Sequence, residues 1–447
     1  MKNNFYGFLL CTYVVLISSS VYAQTPSKDQ KTAKEFLDYI VKEQYKQCIP
    51  LMDTVMTSKV REAGLEEIWD GITSRIGNYK AVKSVWNSKK DSFDIVHQIT
   101  QFEKMDIDLY LTFNKRGLIE GFHMGSADTT KSAESYISPS YANKRAFTEQ
   151  NITIQNGEYS LPGTLSIPIA GDKFPLVILV HGSGPGNRDE EIGPEQPFKD
   201  IAWGLASKRI AVCRYDKRTL VYGPKMANQA ITVKEETIDD VIACVKLMKM
   251  NPSVDSTKIF IVGHSLGAML APRIAQSING LAGIIMLAGN ARPMQDLLVE
   301  QFMYLSENYK KGPKIDKAYI DNIRKQVEVI NSPDLNLQTP SKDLPFNTPA
   351  SYWIDLKKYD QVQTAKKLTL PIFILQGEKD YQVTMKDYNL WKENLSSKAN
   401  VTMKLYPKLN HLFMEAPGEK SLPSDYEKAA NVSEPVISDL ANWINEH

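Results

Sequence analysis

Cysteine, histidine and long apolar runs are all scarce in this sequence, and each shortage excludes something. Four cysteines occur in 447 residues, none of them as Cys-x-x-Cys. Cys11 falls inside an N-terminal apolar stretch. That leaves Cys48, Cys213 and Cys244, an odd set that makes no disulfide framework. Cys213 and Cys244 sit in apolar surroundings and read as buried thiols behaving as small hydrophobes. The six histidines are unclustered, so no metal set is visible and neither a metal nor a cofactor is expected. Excess charge is missing as well. The formal net charge is +1, and basic residues are scattered singly, which argues against a nucleic-acid partner. With 43% hydrophobic and 23% charged residues, the composition is that of an ordinary globular protein. The length implies two structural domains.

One apolar run stands out, Phe5 to Ile17, preceded by Lys2 and followed by Val21-Tyr22-Ala23. It is shorter than the ~20 residues that span a bilayer. It reads as the core of a signal peptide over residues 1–23, with Gln24 as the mature start, and export to the periplasm or medium is expected. Cys11 lies within the run and not at its end, which argues against a lipoprotein.

Residues 28–125 form a first unit. Phe36, Ile40 and Val41 mark one helix, and Leu65–Ile76 a second. Short apolar runs then suggest antiparallel strands around Val82, Ile95 and Leu109. Asn114-Lys115-Arg116-Gly117 makes the turn into a return strand, Leu118–Met124. This is a small α+β module. Residues 126–146 have no period and read as a linker.

Over 147–447, strands and helices alternate. Leu176–Val180, Ile210–Arg214, Ile259–Val262, Gly283–Leu287 and Ile372–Leu375 are short apolar runs, as expected of parallel strands buried on both faces. Helices fit between them, which implies a doubly wound, mostly parallel sheet. Between Leu287 and Pro371 the gap is unusually long. It holds two helices, Met294–Asn308 and Lys317–Ile330, and a Pro- and Asn-rich stretch. An insertion at this point, about 291–366, sits over the strand C-termini as a cap.

The chemistry centres on Gly263-His264-Ser265-Leu266-Gly267, between a buried strand and an apolar helix. A sharp strand-to-helix turn exposes the serine hydroxyl, and small residues two before and two after avoid clashes there. Ser265 is the candidate nucleophile, and a serine needs a base. Among the late histidines, His447 is terminal. His411 lies on a loop after the strand Val401–Leu405 and is the candidate base. The acid that orients it belongs on the loop after Ile372–Leu375, where Glu378 and Asp380 both stand; position alone leaves the two open. Oxyanion donors are expected from the backbone N–H of Leu266 and from the loop His181-Gly182-Ser183-Gly184-Pro185-Gly186, at Ser183 with Gly184 as the alternative. This loop lacks Gly-x-Gly-x-x-Gly and Gly-Lys-Ser/Thr, so it is not a phosphate cradle. His181 is expected to pack beneath it.

Several further blocks occur in the same order: Leu161-Pro162-Gly163-Thr164-Leu165, Arg188-Asp189-Glu190, Arg214-Tyr215-Asp216-Lys217-Arg218, Leu287-Ala288-Gly289-Asn290, Gly377-Glu378-Lys379-Asp380 and Asn410-His411. Together with the elbow, they resemble a bacterial family of α/β-hydrolase carboxylesterases over about residues 157–415. The resemblance implies a triad of Ser265, Asp380 and His411, and structural ion pairs for Asp216 and Arg218. It also implies an α/β-hydrolase fold with a helical cap. Two positions depart from the family: Thr219 and Ala268 stand where glycine is common, and both touch on pocket shape. The first unit is similar to the NTF2-like domain that precedes some of these esterases.

The expected function is a cofactor-independent serine carboxylic ester hydrolase acting through an acyl-enzyme on small or medium acyl esters. The rivals are a serine peptidase or an acyltransferase of the same fold, and a non-catalytic binding protein. Tyr304, Tyr309, Tyr352 and Trp353 line an acyl pocket or fill the cap core.

Overall fold

A computed structural model describes residues 27–90, 93–126, 136–226, 229–309 and 315–447. The expected leader, with Cys11, lies outside the described residues. The chain divides into two compact units, Met1–Lys131 and Ser132–His447.

In the first unit, α1 (Lys28–Val41), α2 (Tyr45–Cys48) and α3 (Thr54–Ile76) precede β1 (Tyr79–Lys90), β2 (Phe93–Phe102), β3 (Asp106–Phe113) and β4 (Ile119–Ser126). The four strands form one antiparallel meander. Ser27 and Gln30 make a reciprocal cap on α1, satisfying N–H groups that have no helical acceptor. Phe36, Leu37 and Ile40 share one face of α1 and pack with Leu109, Leu111 and Phe113 of the sheet. The second helix begins earlier than the apolar pattern suggested. Asp53 caps it, and a kink at Arg61, φ 50°, interrupts its period.

The second unit is built on an eight-stranded sheet in the order β12-β11-β10-β9-β7-β8-β6-β5. Its strands are β5 (Phe147–Asn156), β6 (Tyr159–Pro168), β7 (Phe174–Val180), β8 (Ala211–Tyr215), β9 (Val254–His264), β10 (Gly283–Leu287), β11 (Ile372–Gly377) and β12 (Val401–Tyr406). β7 to β12 pair in parallel, while β5 and β6 enter antiparallel at one edge. Every residue of β8, β10 and β11 is buried, because helices cover both faces of the sheet. Those helices are α4 (Pro197–Ser207), α5 (Arg218–Met226), α6 (Asp239–Lys249), α7 (Leu266–Ser277), α12 (Met385–Leu395) and α13 (Glu434–Glu446). One apolar core lies on each face. Cys213 and Cys244 are buried thiols with sulfurs 3.2 Å apart.

The cap follows β10. It holds the two expected helices, α8 (Met294–Asn308) and α9 (Lys317–Asn331), and two further short ones, α10 (Ala350–Lys357) and α11 (Gln361–Lys366). Arg273 of α7 grips Asp355 of α10 through two hydrogen bonds of 2.8 and 2.9 Å. Buried Asp387 accepts from the backbone N–H groups of Ala291 and Arg292 and from the Arg292 guanidinium. These contacts fix the cap over the strand C-termini. Residues 136–146, expected as linker, lie within the second unit: the Tyr136 hydroxyl donates to Asp200 and that of Tyr141 to the Val432 carbonyl.

Candidate active site

β9 lies between β10 and β7 and ends at His264, and α7 starts at Leu266. Ser265 makes the whole turn between them, at φ 53° and ψ −115°. A non-glycine residue there is strained by ~1–3 kcal/mol and persists only where its surroundings impose it. They do. A Cβ on Gly263 would lie 2.2 Å from the Gly267 carbonyl oxygen, and one on Gly267 2.3 Å from that of Val180. The Ser265 N–H donates to Leu287 of β10. The Gly-x-Ser-x-Gly spacing is therefore a packing requirement of this turn.

β11 delivers Asp380 and the loop after β12 delivers His411. His411 Nδ1 is 2.6 Å from Asp380 Oδ2. The other carboxylate oxygen, Oδ1, accepts from the N–H groups of Gln382 and Val383 at 2.7 and 3.0 Å. Asp380 is buried and Glu378 is exposed, which separates the two carboxylates left open by position. With a carboxylate on Nδ1, the neutral imidazole keeps its proton there and presents Nε2 as a base. Asn410 shapes the loop by accepting from the N–H groups of Leu412 and Met414. Ser265 and His411 line one cavity of about 130 Å³, with no hydrogen bond between them among the described residues.

Ser183, Leu266 and Ser265 also line a larger cavity of about 410 Å³ beneath the cap. Leu266 is the first residue of α7, so its N–H has no helical acceptor. The Gly182 N–H is already taken by Glu190 at 2.7 Å. The Gly182 carbonyl accepts from Lys217 Nζ at 2.8 Å. That carbonyl shares a planar peptide with the Ser183 N–H, so Lys217 also fixes the direction of the candidate oxyanion donor.

Two buried ion pairs flank the turn, and neither was read from the sequence. His264 Nδ1 is 2.9 Å from Glu190 Oε2, a charge contact without hydrogen-bond alignment. His264 Nε2 donates to the His411 carbonyl at 3.0 Å. Burial opposes charge on His264, but Glu190 outweighs it and holds the imidazole above its ordinary range. The same contact overcomes burial on Glu190 and keeps its carboxyl low. The second pair is Lys217 with Glu236 at 2.6 Å.

The other sequence candidates are also placed. His181 is buried between Phe198 and Tyr215 and donates to the Asn187 carbonyl; burial lowers its pKa. Asp216 pairs with Arg188, and Arg218 with Asp240. Tyr352 and Trp353 line the larger cavity. Tyr304 stacks instead on Tyr381, and Tyr309 faces Glu427. His447 lies against Trp443. A second Ser-His-Asp row occurs in the first unit, where Ser88 Oγ is 2.8 Å from His97 Nε2 and His97 Nδ1 is 2.6 Å from Asp108. Ser88 lies within β1, away from any strand-to-helix turn of the kind that frees N–H donors.

Residues 175–417 match the hydrolase family described as serine aminopeptidase, S33. Esterase EstD of Thermotoga maritima is 32% identical over 409 residues, covering 92% of this chain and 93% of its own. The chain belongs to the α/β-hydrolase carboxylesterases. It is an enzyme of that family, and its second unit has the α/β-hydrolase fold. Residues 33–122 of this esterase match a protein family of unknown function, DUF3887. Among solved structures, Est1E from Butyrivibrio proteoclasticus is 16% identical, covering 66% of this chain and 99% of its own at a TM-score of 0.43. An esterase of Pyrococcus furiosus is likewise 16% identical, covering 70% of this chain and 96% of its own at a TM-score of 0.44. No described helix is long and apolar enough to cross a membrane.

Proposed function

We propose that this esterase hydrolyses small or medium carboxylic esters through an acyl-enzyme on Ser265. The observation that carries the reading is the buried Asp380–His411 pair, which opens on the same cavity as the strained Ser265 turn. His411 Nε2 takes the Ser265 proton as Oγ attacks the ester carbonyl. The N–H groups of Ser183 and Leu266 receive the oxyanion. The tetrahedral intermediate collapses, His411 returns the proton to the departing alkoxide, and the alcohol leaves. Water, deprotonated by His411, then attacks the acyl-enzyme and releases the carboxylic acid. The protons balance with no cofactor.

The test is turnover of p-nitrophenyl acetate and butyrate. Ser265→Ala is expected to abolish it, and near-wild-type activity would remove Ser265 as the nucleophile. The family's aminopeptidase description makes aminoacyl amides the parallel substrates to assay. Export is proposed from the leader-like residues 1–23. N-terminal sequencing of protein recovered from the periplasm or medium tests it, with Gln24 expected as the first residue.

A further inference from the structure

The larger cavity is mostly apolar, lined by Leu266, Leu297, Leu298 and Trp353. Among the polar residues that also line it, two carry a buried side-chain oxygen with no partner. Glu236 is 4% exposed, yet its Oε2 has no hydrogen-bond partner. The Thr219 hydroxyl is buried and equally unpartnered. Both residues line the same cavity as Ser265. An unmet buried polar group costs ~1–3 kcal/mol, so a fold that retains two of them in residues lining one cavity calls for an explanation.

Local structure holds Glu236 in place. It sits in a single π-helical turn, Lys234–Ile238, that leads into α6. Such turns insert one residue and re-aim a side chain, and they concentrate at functional sites. Lys217 lies 2.6 Å from Glu236 Oε1 and balances its charge. The Tyr352 hydroxyl also approaches this carboxylate as a hydrogen-bond donor. The remaining oxygen, Oε2, is an acceptor whose formal charge is already compensated. Thr219 can donate or accept.

An acceptor and a donor–acceptor on the wall of one cavity suit a neutral group that itself donates and accepts. A hydroxyl does both. An ammonium could donate to both oxygens, but it would bring a second cation near Lys217, which already balances this carboxylate. A plain alkyl chain would leave both groups unmet. We infer that Glu236 and Thr219 form a specificity site for substrates bearing a hydroxyl group remote from the ester carbonyl. This rests on the ester hydrolase reading above and names its substrate class.

The experiment compares kcat/KM on matched esters. p-Nitrophenyl 6-hydroxyhexanoate, hexanoate and 6-aminohexanoate place the probe on the acyl side, and 4-hydroxybutyl and butyl hexanoate on the alcohol side. The wild type is expected to prefer a hydroxylated ester over its plain partner by about tenfold or more, the scale of one hydrogen bond to a charged group. Thr219→Val preserves shape and unpairs nothing, and it should bring that ratio toward one. Glu236→Leu, which removes the acceptor, should do the same. Because the readout is a ratio on one enzyme, a general loss of turnover cancels. Equal rates on all partners, preference for the amine, or a ratio that survives both substitutions overturns the inference while leaving the esterase reading intact. Absence of turnover on every ester in the wild type overturns the esterase reading itself.

Discussion

The side chain of His264 holds the backbone of His411: Nε2 of the first is 3.0 Å from the carbonyl oxygen of the second. The residue just before the candidate nucleophile thus sets the position of the candidate base. Glu190 completes the arrangement, balancing His264 with one oxygen and holding the Gly182 N–H with the other. One carboxylate ties the base loop, the serine turn and the oxyanion loop together.

Glu190→Gln should therefore destabilise the protein. Removing one partner of a buried pair costs about 3–5 kcal/mol, because the other charge is left unmatched. Chemical denaturation at pH 6, where His264 holds its proton, should show the loss. An unchanged midpoint would mean the pair carries no charge.

Lys217→Met should lower kcat with little change in KM. It frees the Gly182 carbonyl and with it the aim of the Ser183 N–H. The upper bound is the ~10²–10³-fold cost of losing an oxyanion donor outright. The variant also leaves Glu236 unpaired, so stability should fall. Adding Glu236→Gln should restore stability without restoring kcat. Steady-state kinetics and melting of the single and double variants separate the two effects. Recovery of both together would make Lys217 purely structural.

Glu195 should give stability an acid-side bias. It is 1% exposed with one unpartnered oxygen, and burial first, then nearby Asp200, pushes its carboxyl from 4.5 up to about 8. Between these values the unfolded chain releases a proton that the folded chain keeps. Stability then falls as pH rises through that window and levels off above it. Glu195→Gln should flatten the slope of denaturation free energy between about pH 4.5 and 8. An identical slope in the variant would contradict the assignment.

The sheet was legible because its strands are short apolar runs, buried on both faces and punctuated by helices. The triad candidates were legible because a nucleophile turn, a late carboxylate and a later loop histidine occupy set places along the chain. Choosing between Glu378 and Asp380 needed either the family resemblance or the burial of Asp380 against His411. The pairs Glu190–His264 and Lys217–Glu236 were not legible. Charged residues far apart in sequence look like solvated loop and helix charges until the fold buries them together. The π-helical turn at Lys234–Ile238 escaped for a related reason, since its composition is that of an ordinary helix start. The short cap helices α10 and α11 are held by contacts such as Arg273–Asp355 and carry little period of their own.

The most direct test is to trap the acyl-enzyme. The purified protein is mixed with p-nitrophenyl butyrate, quenched in acid within the burst, digested and analysed by mass spectrometry. A butyryl group on Ser265, absent from Ser265→Ala and formed far more slowly in His411→Ala, is the predicted result. Acylation at another serine such as Ser88, or ester turnover by Ser265→Ala at the wild-type rate, would contradict the account.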